Sequence, residues 1–327
     1  MNKTKSRLSF VILLALLAGL FLFAVMSGSL RVGFGQLIRG LFVAYDETVA
    51  TVYDLRFPRI FVALLGGAAM AVAGALLQAV IKNPLADPAI IGVTGGAQFF
   101  AAITAAMFPA AVLFTPLLAF AGGMLAFSLV YALSWKSGLS PLRIILVGVA
   151  VGAVFTGLTQ VLSSMSSSPV GSALSAVSVS LKTWGDVRTL LFYVPPGLLA
   201  ALLLASRCDL LQLEDKTVRS LGRNINALRL LISLAAVLLA SAAAAVAGPA
   251  AFLGLIVPHI ARLLVGSEHR RLLPFCILLG AFVLLLADTL GRTIMPPREI
   301  SASVLMSVIG GPFFIVLLRK GDQIDRI

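Results

Sequence analysis

Charge is what this sequence has least of. Only 12% of its 327 residues are Asp, Glu, Lys or Arg, and 60% are hydrophobic. A soluble domain has about 25% charged and about 45–50% apolar residues, so an ordinary soluble globule is excluded. Disorder is excluded as well, because it requires low hydrophobicity and high charge. Histidine and cysteine are almost missing, with two of each. His259 lies in an apolar run after Pro258, and His269 lies in a charged loop beside Arg270 and Arg271. Ten positions apart and without a carboxylate cluster, they make a poor metal site. A packed helix histidine is the plain reading of His259, with haem ligation as its alternative. Cys208 and Cys276 show neither metal spacing nor a disulfide framework and read as inert thiols. No G-x-S-x-G, H-E-x-x-H or G-x-x-x-x-G-K-[ST] string occurs. The chain therefore lacks the P-loop it would need to hydrolyse ATP itself.

Long apolar runs are what it has. Crossing a bilayer takes roughly 20 apolar residues in a helix. Ten runs qualify as candidates: Leu8–Met26, Phe57–Ile81, Ala89–Phe108, Ala111–Leu133, Leu142–Ser164, Leu190–Ala205, Leu228–Ala247, Ala251–Val265, Leu272–Leu290 and Val304–Leu318. The first follows Lys3, Lys5 and Arg7, as a signal peptide would. It is longer than a usual signal core and no A-x-A site follows, so it reads as a retained helix. The run at Ala251–Val265 is short enough to be tilted, broken or partly re-entrant. The expected fold is all-α: a polytopic membrane protein of about ten transmembrane helices, one transmembrane domain spanning residues 1–327.

Ten spans put both termini on one side. With that side cytoplasmic, eight of the 25 Lys and Arg residues fall outside: Arg31, Arg39, Arg56, Arg59, Lys182, Arg188, Arg292 and Arg298. The other 17 fall inside, as the positive-inside rule requires for N-in, C-in topology. The net charge of +12 is thus a feature of membrane topology, not of nucleic-acid binding. Arg56, Arg59 and Arg292 remain odd, because the rule does not ask for them at outer helix ends. Small residues crowd the second run, from Gly66 to Ala75, and the seventh, from Ala240 to Ala245. They allow close helix packing in lipid.

Few residues could carry chemistry. Asp288 is the carboxylate set deepest in an apolar run. A coupling-ion or proton site is the functional reading of such a residue. The plainer one is a pair with Arg292, four positions on and one helical turn away. The longest polar stretch, Arg207–Arg229, carries Leu210, Leu211, Leu213, Val218 and Leu221 at roughly helical spacing, with Gly222 placed as a stop. It reads as a short amphipathic cytoplasmic helix, either lying on the membrane surface or docking into a soluble partner. The segments Asn83–Pro88 and Ser137–Pro141 read as tight inner turns.

Several strings together carry a resemblance. They are L-R-F-P-R at Leu55–Arg59, G-A-L-L-Q at Gly74–Gln78, N-P-L-A-D-P-A-I-I-G-V at Asn83–Val93 and S-L-G at Ser220–Gly222. G-L-I-V-P-H-I-A-R-L at Gly254–Leu263, A-D-T-L-G-R at Ala287–Arg292 and G-G-P-F-F-I-V-L-L-R at Gly310–Arg319 complete the set. In this order, over nearly the whole chain, they resemble the FecCD/BtuC-like permeases of type II ABC importers, with Gram-positive haem and siderophore permeases the nearest in character.

The resemblance implies a non-enzymatic transport subunit in a bacterial cell membrane. It implies a second permease subunit (a homodimer or a paralogue), two cytoplasmic ATPases and an extracytoplasmic substrate-binding protein. The cargo would be an iron chelate, siderophore or haem. A cobalamin importer of the same fold and an ion-coupled secondary transporter are the alternatives. No cofactor is expected on this chain, since ATP and Mg would be used by the partner ATPases. Leu213, Glu214, Asp215, Thr217, Arg219, Ser220, Leu221 and Gly222 match the family's ATPase-coupling helix, within the 207–229 loop. Arg56, Arg59 and Arg292 match outward arginines that pair with acidic residues of the binding protein. Ser137, Gly138, Leu139 and Ser140 match the cytoplasmic gate, and Gly148, Gly152, Thr156, Thr159 and Gln160 would line the path. One departure stands out. The family's Trp and Gly-Ser-Leu before the sixth span are replaced by Ala176–Leu181, with only Trp184 retained.

Overall fold

A computed structural model describes residues 3–28, 32–108, 110–134, 141–165, 182–295 and 298–324. Among them the chain is helical, with no strand. The helices are α1 (Lys3–Met26), α2 (Phe34–Phe42), α3 (Glu47–Ile81), α4 (Val93–Met107), α5 (Thr115–Ser134) and α6 (Pro141–Met165). They continue with α7 (Trp184–Leu211), α8 (Asp215–Ser220), α9 (Ile225–Val246), α10 (Leu253–Val265), α11 (His269–Thr293) and α12 (Ala302–Ile324). Each of the ten apolar runs falls on one helix. Seven helices are long and apolar enough to cross a membrane: α1, α3, α5, α6, α7, α9 and α11. Those of α4, α10 and the apolar part of α12 are shorter.

The middle of the bundle is α3. Its most apolar window is 83% buried and that of α9 72%, against 22% for α1 and 17% for α6. Helices α7, α9, α10 and α11 pack around α3, while α4 packs on α5 and α6. Small residues make this possible. A Cβ on Gly74 would run into the backbone of Gly254, and one on Gly67 into that of Gly280. The backbones of α3, α10 and α11 therefore meet where glycine faces glycine, the close approach that gains dispersion energy in lipid.

Helix ends follow local chemistry. Asp46 caps α3, accepting from the backbone N–H groups of Thr48 and Val49 at 2.9 and 3.1 Å. Helix α7 opens on Thr183, whose N–H and hydroxyl both donate to Asp186, each at 2.9 Å.

Several boundaries differ from the sequence reading, and α3 starts at Glu47, ten residues before the apolar run at Phe57. Helix α7 runs on to Leu211, because Cys208 and Leu211 stay fully buried against the core. Leu210 and Leu211 thus belong to the span, and the cytoplasmic helix shrinks to the six residues of α8. Helices α4 and α10 are short because irregular backbone precedes each, turning at Gly92 (φ 82°) and at Phe252 (φ 63°). That backbone is enclosed by neighbouring helices, the setting in which non-helical chain is tolerated at membrane depth.

Candidate functional site

At the outer end, charges converge from three parts of the chain. Arg59 of α3 donates from Nε to both oxygens of Asp288 on α11, at 2.9 and 3.0 Å. Its Nη1 donates to Glu299, in the segment before α12, at 2.7 Å. Arg292 stands 3.4 Å from Asp288 and donates through Nη2 to the carbonyl of Ala24 at 3.1 Å. Arg56 donates to the carbonyl of Val25 at 2.9 Å. Those carbonyls lie in the last turn of α1, where the helix itself supplies no N–H partners. Two cations complete them and favour that end of the helix dipole.

The three arginines expected to reach a binding protein are thus mostly enclosed in the isolated chain, with exposures of 8% for Arg56, 5% for Arg59 and 8% for Arg292. The Asp288–Arg292 pair expected from four-residue spacing is present. The closer partner of Asp288 is Arg59, which no local spacing could reveal.

The inner end holds a second cluster. Lys82 follows α3 in the left-handed conformation (φ 54°). Its Nζ donates to the carbonyl of Leu213 at 2.6 Å and to Asp215 at 2.9 Å. Arg229 of α9 donates from Nη2 to both oxygens of Asp215, at 3.1 Å each. The hydrogen bond from Lys82 and the charge of Arg229 hold the Asp215 carboxyl below its usual range, against a smaller opposing effect of burial. Val218 is buried and pins α8 from beneath. Leu213, Glu214, Thr217, Arg219, Ser220, Leu221 and Gly222 face outward. Gly222 turns the chain at φ 71°, a conformation that favours glycine. The expected coupling residues therefore form one exposed knuckle. Lys82 and Arg229 tie it to α3 and α9 through Asp215 and the Leu213 carbonyl.

Other inner contacts were not foreseen. Gln78 of α3 donates to the carbonyls of Ala86 and Gly254, at 3.2 and 3.1 Å. It accepts from Arg262 of α10 at 2.6 Å. A lone glutamine in an apolar run was the available signal. His269 pairs with Asp209 through Nδ1 at 2.6 Å and also donates its backbone N–H to that carboxylate. It joins the ends of α7 and α11 and is not the loop residue it resembles in sequence. Asp87 is fully buried between α3 and α4. One of its oxygens accepts from the N–H of Ala89 at 2.8 Å. Burial pushes the Asp87 carboxyl up to about 6, partly offset by the backbone N–H groups of Ala89, Ile90, Gly254 and Leu255.

The expected path residues lie on α6. Gly148 is buried where the helix crosses the backbone of Ile90 and Ile91, and Gly152 faces Gly92. Thr156 and Thr159 donate their hydroxyls to carbonyls one turn back, each at 2.9 Å. Thr156 and Gln160 are exposed. So are Leu146, Val149, Val154, Leu158 and Val161 along the same helix. Ser137, Gly138, Leu139 and Ser140 lie outside the described residues, as does the Ala176–Ser180 departure with Leu181. His259 packs edge-on against Phe313, ring centroids 5.8 Å apart. Among the described residues no group of three His, Cys, Asp or Glu side chains could hold a metal ion.

Comparison with known proteins decides what this arrangement belongs to. The FecCD transport family model matches residues 14–320. The chain belongs to the FecCD transport family. It is a multi-pass membrane permease. It is 40% identical over 323 residues to the probable heme-iron transport system permease protein IsdF of Staphylococcus aureus strains MSSA476 and Newman, covering 99% of each chain. Its fold is similar to that of a metal-chelate type ABC transporter in an inward-facing conformation, with TM-score 0.75 and 30% identity over 94% of this chain and 98% of that one. PsaBC from Streptococcus pneumoniae, in complex with Fab, shares the fold at TM-score 0.59 and 14% identity, covering 87% and 95% of the two chains. The family resemblance read from the motifs and the all-helical permease fold are both borne out.

Proposed function

We propose that this chain is the membrane-spanning subunit of an ATP-driven importer that carries an iron chelate, haem foremost, into the cytoplasm. The observation that carries this reading is the end-to-end 40% identity to a probable heme-iron permease. The likeness to a metal-chelate ABC transporter agrees with it. The chain acts as a single domain of residues 1–327, in which the 207–229 loop contacts the ATPase. A second permease subunit, a copy of this chain or a paralogue, completes the path. Two cytoplasmic ATPases bind ATP and Mg, and this chain holds no cofactor. An extracytoplasmic binding protein delivers the cargo.

This reading assigns each contact to particular residues. The knuckle at Leu213–Gly222 offers Leu221, which is 58% exposed, to a cleft of the ATPase. Its anchors, Lys82 and Arg229, pass a displacement on to α3 and α9. Such coupling between distinct sites is reciprocal, so cargo delivery outside must alter nucleotide handling inside. Arg56, Arg59 and Arg292 supply positive charge at the outer end for acidic groups of the binding protein. The face of α6 with Thr156, Thr159 and Gln160 lines the path, and Ser137–Ser140 forms its inner gate.

Co-purification from the native membrane, with mass spectrometry and absorbance spectra, tests this. The expected result is an ATPase and a binding protein in the complex, with a Soret band on the binding protein. A charge-transfer band instead would name a ferric siderophore, and a corrinoid spectrum would name cobalamin. Transport driven by an ion gradient in proteoliposomes containing this chain alone would overturn the reading and turn attention to Asp288.

A further inference from the structure

A groove opens on the flank of the bundle at the inner ends of α3, α5 and α9. It encloses about 350 Å³ between Val80, Met124, Phe127, Ser128 and Leu230. A recess of about 330 Å³ continues from it to Lys82 and Asp215, and both are walled by Tyr131 and Arg229. Each is as large as a small ligand site, about 300–1,000 Å³. From Met124 to Tyr131 the apolar wall follows α5 for about 10 Å, at 1.5 Å per residue.

The two ends of this groove differ in kind. The deep part is apolar. The mouth carries two cations, Lys82 and Arg229, against one anion, Asp215. Among the described residues Arg229 spends only Nη2 on Asp215. Its Nε is buried and makes no hydrogen bond. Lys82 uses two of its three protons, on Leu213 and Asp215. One positive charge is left over, with donors to spare.

The surroundings say what the groove faces. Leu125, Leu129 and Leu133 on α5 and Leu230 and Leu231 on α9 stand exposed beside it. A row of bare leucines on spanning helices is a lipid-facing surface. The basic mouth sits at the inner headgroup level assigned by the charge bias of the loops. An apolar slot in lipid, ending in surplus positive charge at that depth, matches an acyl chain joined to a phosphate. Basic pockets between spanning helices on this side of a membrane take anionic lipid headgroups.

We propose that this groove binds an anionic phospholipid, with one acyl chain along Val80, Met124 and Phe127 and the phosphate between Lys82 and Arg229. Of α6 the recess touches Ile144, more than three turns before Thr156. Because Lys82 and Arg229 also hold Asp215, a lipid phosphate there braces the coupling knuckle. Membrane composition would then set how stiffly the knuckle is held.

Native mass spectrometry of the full-length permease, extracted in mild detergent from liposomes of equal phosphatidylglycerol and phosphatidylcholine, tests the site. Wild type should retain phosphatidylglycerol about fivefold over phosphatidylcholine, the preference one net cation gives near a charged surface. Ser128→Trp fills the groove from an exposed position and should abolish the retained lipid. Arg229→Gln should bring the ratio close to one. Equal retention of both lipids by wild type would overturn the proposal. So would retention of phosphatidylglycerol by Ser128→Trp at the wild-type level, which decides the matter even where Arg229→Gln does not fold. Inorganic phosphate at millimolar concentration should not displace the lipid. Displacement would mark a free-anion site and also overturn it.

Discussion

Arg59 grips both oxygens of Asp288, 229 positions away, and turns its remaining edge to Glu299 at 2.7 Å. Asp288 is 1% exposed and so is wholly dependent on its arginines. Breaking a buried pair from one side leaves an uncompensated charge, at a cost of about 3–5 kcal/mol. Asp288→Ala should therefore sharply lower the melting temperature of the permease in detergent. Arg59→Met with Asp288→Leu should recover much of the loss. A double variant as unstable as the sum of the singles would show that the pair has no mutual dependence.

Glu299 has a second consequence. It covers the edge of Arg59 that a docking carboxylate would need, and its side chain is 43% exposed. On the proposed docking, an acidic residue of the binding protein must displace it to reach Arg59. Glu299→Gln should therefore raise the affinity of binding protein for permease in nanodiscs by severalfold, most visibly at low ionic strength. Unchanged or weaker docking would remove Arg59 from the contact.

Asp87 makes stability depend on pH in an unusual direction. Its folded pKa of about 6 lies above its unfolded value of 3.8. The folded state therefore binds the proton more tightly. The contribution is fully present below the unfolded value and is lost as pH rises to the folded one. Across that window the ionisation cost is about 3 kcal/mol, at 1.36 kcal/mol per pKa unit. Thermal unfolding in detergent at pH 7.5, 6 and 5 should show wild type gaining stability toward acid. Asp87→Asn keeps the acceptor for the Ala89 N–H and should flatten that slope. An identical slope in the variant would clear Asp87 of any part in it.

The glycine contacts give a packing test. Gly74→Ala places a methyl group against the backbone of Gly254, and Gly67→Ala against that of Gly280. Backbone cannot swing aside as a side chain can, so each should cost about 1–3 kcal/mol or more. Gly19→Ala in α1 meets nothing within 4 Å and should leave the melting temperature unchanged or slightly higher. Equal effects at all three positions would mean that close approach is not what these glycines provide.

Gly222 and Leu221 test the knuckle. Alanine at φ 71° costs about 1–2 kcal/mol locally, and Leu221 touches solvent. Gly222→Ala and Leu221→Asp should leave the permease folded and assembled while cargo-stimulated ATPase falls severalfold. Normal stimulation in both would place the lever elsewhere.

The spans were legible because each is a continuous apolar run and a bilayer demands helices of that length. Their exact ends were less so. The extension of α7 to Leu211 depends on what Cys208 and Leu211 bury against, which a linear pattern does not record. The shortness of α4 and α10 depends on irregular backbone enclosed by other helices. At the outer site, spacing showed Arg292 as a partner of Asp288 because the two share a helix turn. Arg59 and Glu299 reach it only through tertiary packing. Gln78 and Arg262, 184 positions apart, were hidden in the same way.

Helix α3 has 35 residues and carries Arg56 and Arg59 near its outer end, with Lys82 immediately beyond its inner one. From Arg59 to Lys82 is about 35 Å of α-helix at 1.5 Å per residue. The two charge clusters are thus fixtures on one stiff rod and need no relay of intermediate contacts between them. Pivoted at its outer end, a tilt of roughly 5° over that length would swing Lys82 by roughly 3 Å. That is more than its hydrogen bonds to Leu213 and Asp215 could survive without dragging the knuckle along. A nudge at the outer end of α3 would then be felt at the knuckle through mechanical leverage alone.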